Sequence, residues 1–182
     1  MVYVIPFWAG EALFTILWIA IRIGIRCKNG RADWRREALL LLMYVNLAVL
    51  IRLTFFPMDR LDGKVQPLLF FPTQMFPLRV NLIPLVHMLR YDTKRDILLN
   101  VIGNVSMFIP TGIILPVLYP KLKSFWKTVA AGALMSLCIE IIQLPFSVRA
   151  TDIDDLILNT TGVVLGYAIY ALVRAGRKKG EQ

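Results

Sequence analysis

Histidine occurs once in the 182 residues, at His87, and cysteine twice, at Cys27 and Cys138. The two thiols stand 111 positions apart, so neither a metal-ligand spacing nor a disulfide framework is present, and a Cys-His nucleophile has no support. The sequence has no nucleotide-binding glycine loop and no Ser-His-Asp order, and no cofactor or metal is expected. Charge is scarce as well, at 18% of residues, less than a soluble domain of this size uses to cover its surface. Apolar residues take its place: 57% are hydrophobic and the mean hydropathy is +0.62, which points to a membrane protein.

The apolar residues are gathered into runs. Residues 97–120 hold 24 positions without a charged side chain, enough for about 30 Å of helix. Leu156 to Val173 gives 18 such positions, and Ala38 to Phe56 gives 19 interrupted only by Arg52. Val4 to Ile25 is apolar apart from Glu11 and Arg22, and Phe125 to Leu144 apart from Lys127 and Glu140. These runs predict an all-α polytopic transmembrane helical bundle of five spans, forming a single membrane domain over residues 1–182 without internal repeats. The first run reads as a retained helix, because nothing basic precedes Glu11 and no small-residue cleavage site ends a short apolar core.

The net charge of +9 could suggest nucleic acid, but its distribution does not. With five spans, one face collects Arg26, Lys28, Arg31, Arg35, Arg36, Lys121, Lys123, Lys127, Arg174, Arg177, Lys178 and Lys179 against Asp33, Glu37 and Glu181, which accounts for the whole excess of +9. On the other face seven basic and seven acidic residues cancel. Such a bias predicts an outer N-terminus and a cytoplasmic C-terminus in a cell membrane, with anionic lipid as the partner of the basic face and no nucleic acid.

Residues 57–96 form the only long connection, on the outer face. Short apolar runs there (LLFFP, MFPL, VNLIPLV) alternate with Pro67, Pro72, Pro77 and Pro84, which interrupt regular helix or strand. The expectation is a segment at the membrane surface or partly embedded in the bundle mouth, where broken backbone can be paired.

Polar groups inside spans are costly and ordinarily face a bundle interior or a cavity. Arg52, Asn100, Asn104, Glu140, Gln143 and Asn159 all fall in the outer halves of their helices under this topology. The four-residue spacing of Asn100 and Asn104, and the three-residue spacing of Glu140 and Gln143, put each pair on one helical face. A purely structural account is available for each: amides tie helices together, Arg52 snorkels, and Asp152, Asp154 and Asp155 cap a helix starting near Leu156. As a set they predict a shared outer-half polar pocket, with Arg52 or Arg149 as the charge partner of Glu140. Gly162 and Gly166 form GxxxG, and Gly103 and Gly112 suggest further close approaches of backbone.

The stretch NLIP at Asn81 to Pro84, the run NVIGNVSMFIPTG from Asn100 to Gly112, EIIQ from Glu140 to Gln143, and RATDIDDLILNTTGVVLGY from Arg149 to Tyr167 together resemble the VanZ-like family over residues 39–173. That family comprises small multispanning proteins, chiefly of Gram-positive bacteria, named for a member linked to resistance to the glycopeptide teicoplanin. The resemblance implies family positions at Asn81, Pro84, Asn100, Asn104, Phe108, Pro110, Gly112, Glu140, Gln143, Arg149, Asp152, Asp155, Asn159 and Gly162, with Arg52 in RLTFFP as the family's arginine before a turn.

Two functions of different class fit these residues. In the first, the pocket binds or protects a cell-envelope component, a membrane lipid or lipid-linked cell-wall precursor, with Arg52, Arg79 and Arg149 gripping an oxyanion and the amides orienting it. In the second, the chain is a membrane-embedded hydrolase or transferase, with Glu140 or Asp155 as acid or base. A transporter is less well served: five spans leave no paired halves, unless a homo-oligomer restores them.

Overall fold

The computed structural model describes residues 3–29, 33–56, 60–61, 63–70, 80–84, 93–146 and 151–180. Among these, five helices are long and apolar enough to cross a membrane: α1 (Phe7–Asn29), α2 (Trp34–Phe55), α3 (Lys94–Leu118), α4 (Phe125–Gln143) and α5 (Ile153–Gly180). Six strands of two or three residues accompany them: β1 (Tyr3–Ile5), β2 (Arg60–Leu61), β3 (Lys64–Val65), β4 (Leu68–Phe70), β5 (Val80–Asn81) and β6 (Thr151–Asp152). The chain is thus an all-α, multi-pass membrane protein. It divides into two compact units, Met1–Arg79 with Gln143–Ala150, and Val80–Ile142 with Thr151–Gln182.

Helix ends reach beyond the uncharged runs. Residue Thr93 caps α3, its hydroxyl oxygen accepting from the Asp96 backbone N–H at 3.2 Å and donating to the Asp96 carboxylate at 2.7 Å, so Lys94, Arg95 and Asp96 form the first turn. Helix α5 starts at Ile153, three residues before the expected Leu156, which places Asp154 and Asp155 within its first turn rather than before it. An uncharged run marks what hydrocarbon must cover, whereas a helix continues into the polar interface until a cap stops it. Acids in a first turn also meet the positive end of the helix dipole.

In the first unit, α1 and α2 run antiparallel. Near one end Phe7 packs edge-on to Phe56 at 5.2 Å, in the middle Phe14 stacks on Tyr44 at 5.4 Å, and near the other end Arg22 pairs with Glu37 at 2.5 Å. The ion pair matches the intramembrane charge of Arg22 at the basic end of the helix. Part of the long connection belongs here and is more ordered than its prolines suggest: β2 and β3 form a hairpin turning at Gly63 (φ +73°), and β4, directly after Pro67, pairs antiparallel with β1, Leu68 opposite Ile5. Prolines limit these strands to two or three residues without preventing them. Phe146 joins the same unit through a bridge to Phe70 and an edge-on contact with Phe55 at 6.0 Å.

In the second unit, α3 and α5 lie parallel at unusually close range. A Cβ on Gly162 would fall on the Val105 carbonyl oxygen, one on Gly166 on that of Ile109, and one on Gly112 on that of Val163. Gly132 brings α4 against the Val163 side chain in the same manner. Lipid tails are as apolar as leucine, so close backbone approach rather than water exclusion drives such packing. The expected role of Gly112, Gly162 and Gly166 is therefore met, but that of Gly103 is not: a Cβ there meets nothing within 4 Å. Gly103 lies on the opposite side of α3 from the stripe that receives α5.

Candidate functional site

Helix α4 is built inside out. Its buried residues are Thr128, Gly132, Ser136, Glu140 and Gln143, all small or polar, while Trp126, Leu134, Leu137, Ile141 and Ile142 are exposed. Steps of four, four, four and three keep the buried residues on one face. In water such a helix would turn the other way; in a membrane the apolar face meets lipid and the polar face meets protein.

On that face begins a run of hydrogen bonds confined to the second unit. The Glu140 carboxylate, 3% exposed, accepts from the Asp152 backbone N–H at 3.2 Å. The Asp152 side chain, 6% exposed, accepts at one oxygen from both the Asn81 side-chain amide (3.2 Å) and the Asp154 backbone N–H (3.0 Å). Asn81 also accepts, through its Oδ1, from the Ile83 backbone N–H, an Asx-turn just before Pro84 that fixes the side chain. What brings these groups together is a two-residue parallel pairing of β5 with β6, Val80 opposite Thr151 and Asn81 opposite Asp152. One turn into α5, Asp155 accepts from the Asn104 side-chain amide of α3 at 2.7 Å. Deeper, Asn159 donates to the Ser136 hydroxyl at 2.9 Å, and its own Oδ1 is buried without a hydrogen-bond partner among the described residues.

Six of the ten candidate residues, Asn81, Asn104, Glu140, Asp152, Asp155 and Asn159, thus sit in hydrogen bonds within one unit. Asn100 is half-buried on α3 in the same unit. Arg52 and Gln143 belong to the other unit. There the Gln143 amide donates to the Thr54 carbonyl at 2.6 Å, and Arg52 donates to the Phe56 carbonyl at 3.1 Å, lies 5.5 Å from the Phe7 ring centroid and acts electrostatically on Glu11. Both cover carbonyls left over at the end of α2. Arg149 lies outside the described residues, as do Arg79 and His87.

Two participants escaped the sequence reading. Ser136 precedes Glu140 by four positions, and that interval was the available signal. Asp154, 4% exposed, looked like a cap and is instead buried in the first turn of α5. Among the described residues no cluster of His, Cys, Asp and Glu has the arrangement of a metal site. A groove of about 600 Å³ on α4 and α5, lined by Leu134, Leu137, Ile157, Thr160, Thr161 and their neighbours, is apolar: the hydroxyls of Thr160 and Thr161 turn back onto the carbonyls of Leu156 and Ile157.

The sequence that builds this carboxylate–amide run matches a known family model, VanZ/LLP1, over residues 40–174. The chain belongs to the VanZ/LLP1 family. Its family region starts within α2 and ends within α5, and contains all ten candidate residues. Protein VanZ of Enterococcus faecium is 43% identical over 73 residues, a stretch covering 40% of this chain and 45% of that protein. The chain therefore matches less than half the length of this curated VanZ relative. No solved structure is similar to it. The structure thus supplies for a VanZ/LLP1 chain the geometry behind its motifs: NLIP is the β5 Asx-turn, EIIQ the buried end of α4, and TDIDD the β6–α5 junction.

Chemically, the run presents carboxylates and amides in fixed orientations at one end of three packed helices. It can accept hydrogen bonds from hydroxyl or amino groups and donate amide N–H bonds to a carbonyl or phosphate oxygen.

Proposed function

We propose that this VanZ/LLP1 protein binds or protects the polar head of a cell-envelope lipid or lipid-linked cell-wall precursor at the carboxylate–amide run, and that it contributes in this way to protection against glycopeptides such as teicoplanin. The observation that carries the reading is the burial of three carboxylic acids, Glu140, Asp152 and Asp154, below 7% exposure near the end of α4 and the start of α5. Three acids in such a setting cost more than helix packing requires. In this reading the run faces outward, as the charge bias of the loops favours, and Arg149 contributes a guanidinium fork toward an oxyanion of the ligand.

The test pairs binding with protection. Gently purified protein, wild type beside E140Q and R149K, is compared by lipid-resolved mass spectrometry, and the same variants are assayed for teicoplanin susceptibility in a Gram-positive host. The expected outcome is a lipid-linked species retained by wild type and lost from both variants, with protection falling in parallel at unchanged protein level. Equal retention and equal protection in all three would overturn the proposal. A hydrolysed or transferred product accumulating with wild type alone would favour an enzyme.

A further inference from the structure

The other end of α5 carries a second arrangement, separate from the carboxylate–amide run. From Asp155 to Arg177 the helix rises by 22 residue steps, about 33 Å, roughly the thickness of a hydrocarbon core. Where it passes the end of α3 there is a cleft of about 420 Å³, within the size range of small-ligand sites. Val117, Ile169 and Val173 form apolar wall, and Lys123, Arg174 and Arg177 contribute exposed cations. None of the described residues lining it is acidic.

The cationic side is held in place. Tyr167 donates its hydroxyl to the Lys123 carbonyl at 2.9 Å, and the fully buried Thr128 donates to the Leu122 carbonyl at 2.5 Å, so the short link between α3 and α4 is fastened to α5 and to α4. Val173, Arg174 and Arg177 stand at intervals that share one face of α5. The Lys123 backbone is thus anchored in a cleft that it shares with two arginines and with apolar residues of two membrane-spanning helices.

We infer that this cleft binds an anionic phospholipid, the phosphate against Lys123, Arg174 and Arg177 and one acyl chain along Val117, Ile169 and Val173. Three cations with no carboxylate among the described lining residues select negative charge, and arginine forks suit a phosphate. A free phosphate or soluble phosphoester would satisfy the cations but leave the apolar wall uncovered. The basic face predicted to be cytoplasmic is also where anionic lipid attracts such residues.

The experiment uses the full chain in mixed micelles, titrated with phosphatidylglycerol or phosphatidylcholine of identical acyl chains and read by native mass spectrometry. Wild type is expected to retain phosphatidylglycerol about tenfold better or more. The K123Q/R174Q/R177Q variant should lose that preference, and R26Q/K28Q, which removes exposed charge from the end of α1, should keep it. V173W, which fills the apolar wall and leaves the cations intact, should weaken phosphatidylglycerol retention too. Equal retention of the two lipids by wild type, or an unchanged preference in the triple variant, overturns the inference. So does glycerol phosphate competing as well as the lipid, which would reveal a soluble-anion site. If the triple variant melts early in detergent, the single variants R174Q and R177Q decide: each should lower the preference severalfold, and no change in either rejects the site.

Discussion

The Asn104 side-chain amide donates to the Asp155 carboxylate at 2.7 Å, linking the N-terminal half of α3 to the first turn of α5 where the two helices run parallel. Below this bond Gly162 meets the Val105 carbonyl and Gly166 that of Ile109, so one polar contact and two glycines set the register of the pair. A single-turn slip would replace each of these contacts with a clash or an unpaired group.

The Asn104–Asp155 bond predicts measurable coupling. In a double-mutant cycle with N104A and D155A, read by reversible unfolding in detergent or bilayer, the interaction energy should be about 1 kcal/mol, with 2 kcal/mol as the upper range for membrane hydrogen bonds. Strictly additive effects would mean the bond contributes nothing to the pairing.

Glycine substitutions should divide by position. G162A, G166A and G112A each push a methyl into a backbone carbonyl, which cannot yield as a side-chain tip can, and each should destabilise by about 2 kcal/mol or more. G103A has open space around it and should be neutral or slightly stabilising, since alanine favours helix. Detergent melting of the four variants side by side checks the order; G103A ranking with the others would contradict it.

Shape and charge at Glu140 can be separated. E140Q keeps a side-chain oxygen to accept the Asp152 N–H and should remain close to wild type in stability, whereas E140L leaves that buried donor without its acceptor and should cost about 1–3 kcal/mol. Detergent melting distinguishes them. Equal melting of the leucine and glutamine variants would show that the bond has no structural weight.

Sidedness follows from the loop charges and is open to labelling. In a background with Cys27 and Cys138 replaced by serine, a cysteine at position 64 should react with a membrane-impermeant reagent on intact cells, and one at position 123 only after permeabilisation. Reporter fusions should place the C-terminus in the cytoplasm. An external C-terminus would reverse the proposed orientation and with it the side on which each site faces.

By itself the sequence determined the class of the protein and the number and position of its spans, because hydrophobic length and charge are properties of a segment regardless of its neighbours. The uncharged run at residues 97–120 marks an apolar span whatever it packs against. The sequence also marked Asn104, Glu140 and Asn159, since a polar group in a span is conspicuous wherever it points. Only the tertiary structure decided their partners. The bonds from Asn104 to Asp155 and from Asn81 to Asp152 join residues 51 and 71 positions apart, intervals that carry no periodic signal. For the same reason Gly103 and Gly112 looked alike in sequence, and only the approach of α5 to one side of α3 separates them. The short strands were hidden for a related reason: two-residue ladders such as β5 with β6 are too brief to show alternation and pair residues far apart in the chain.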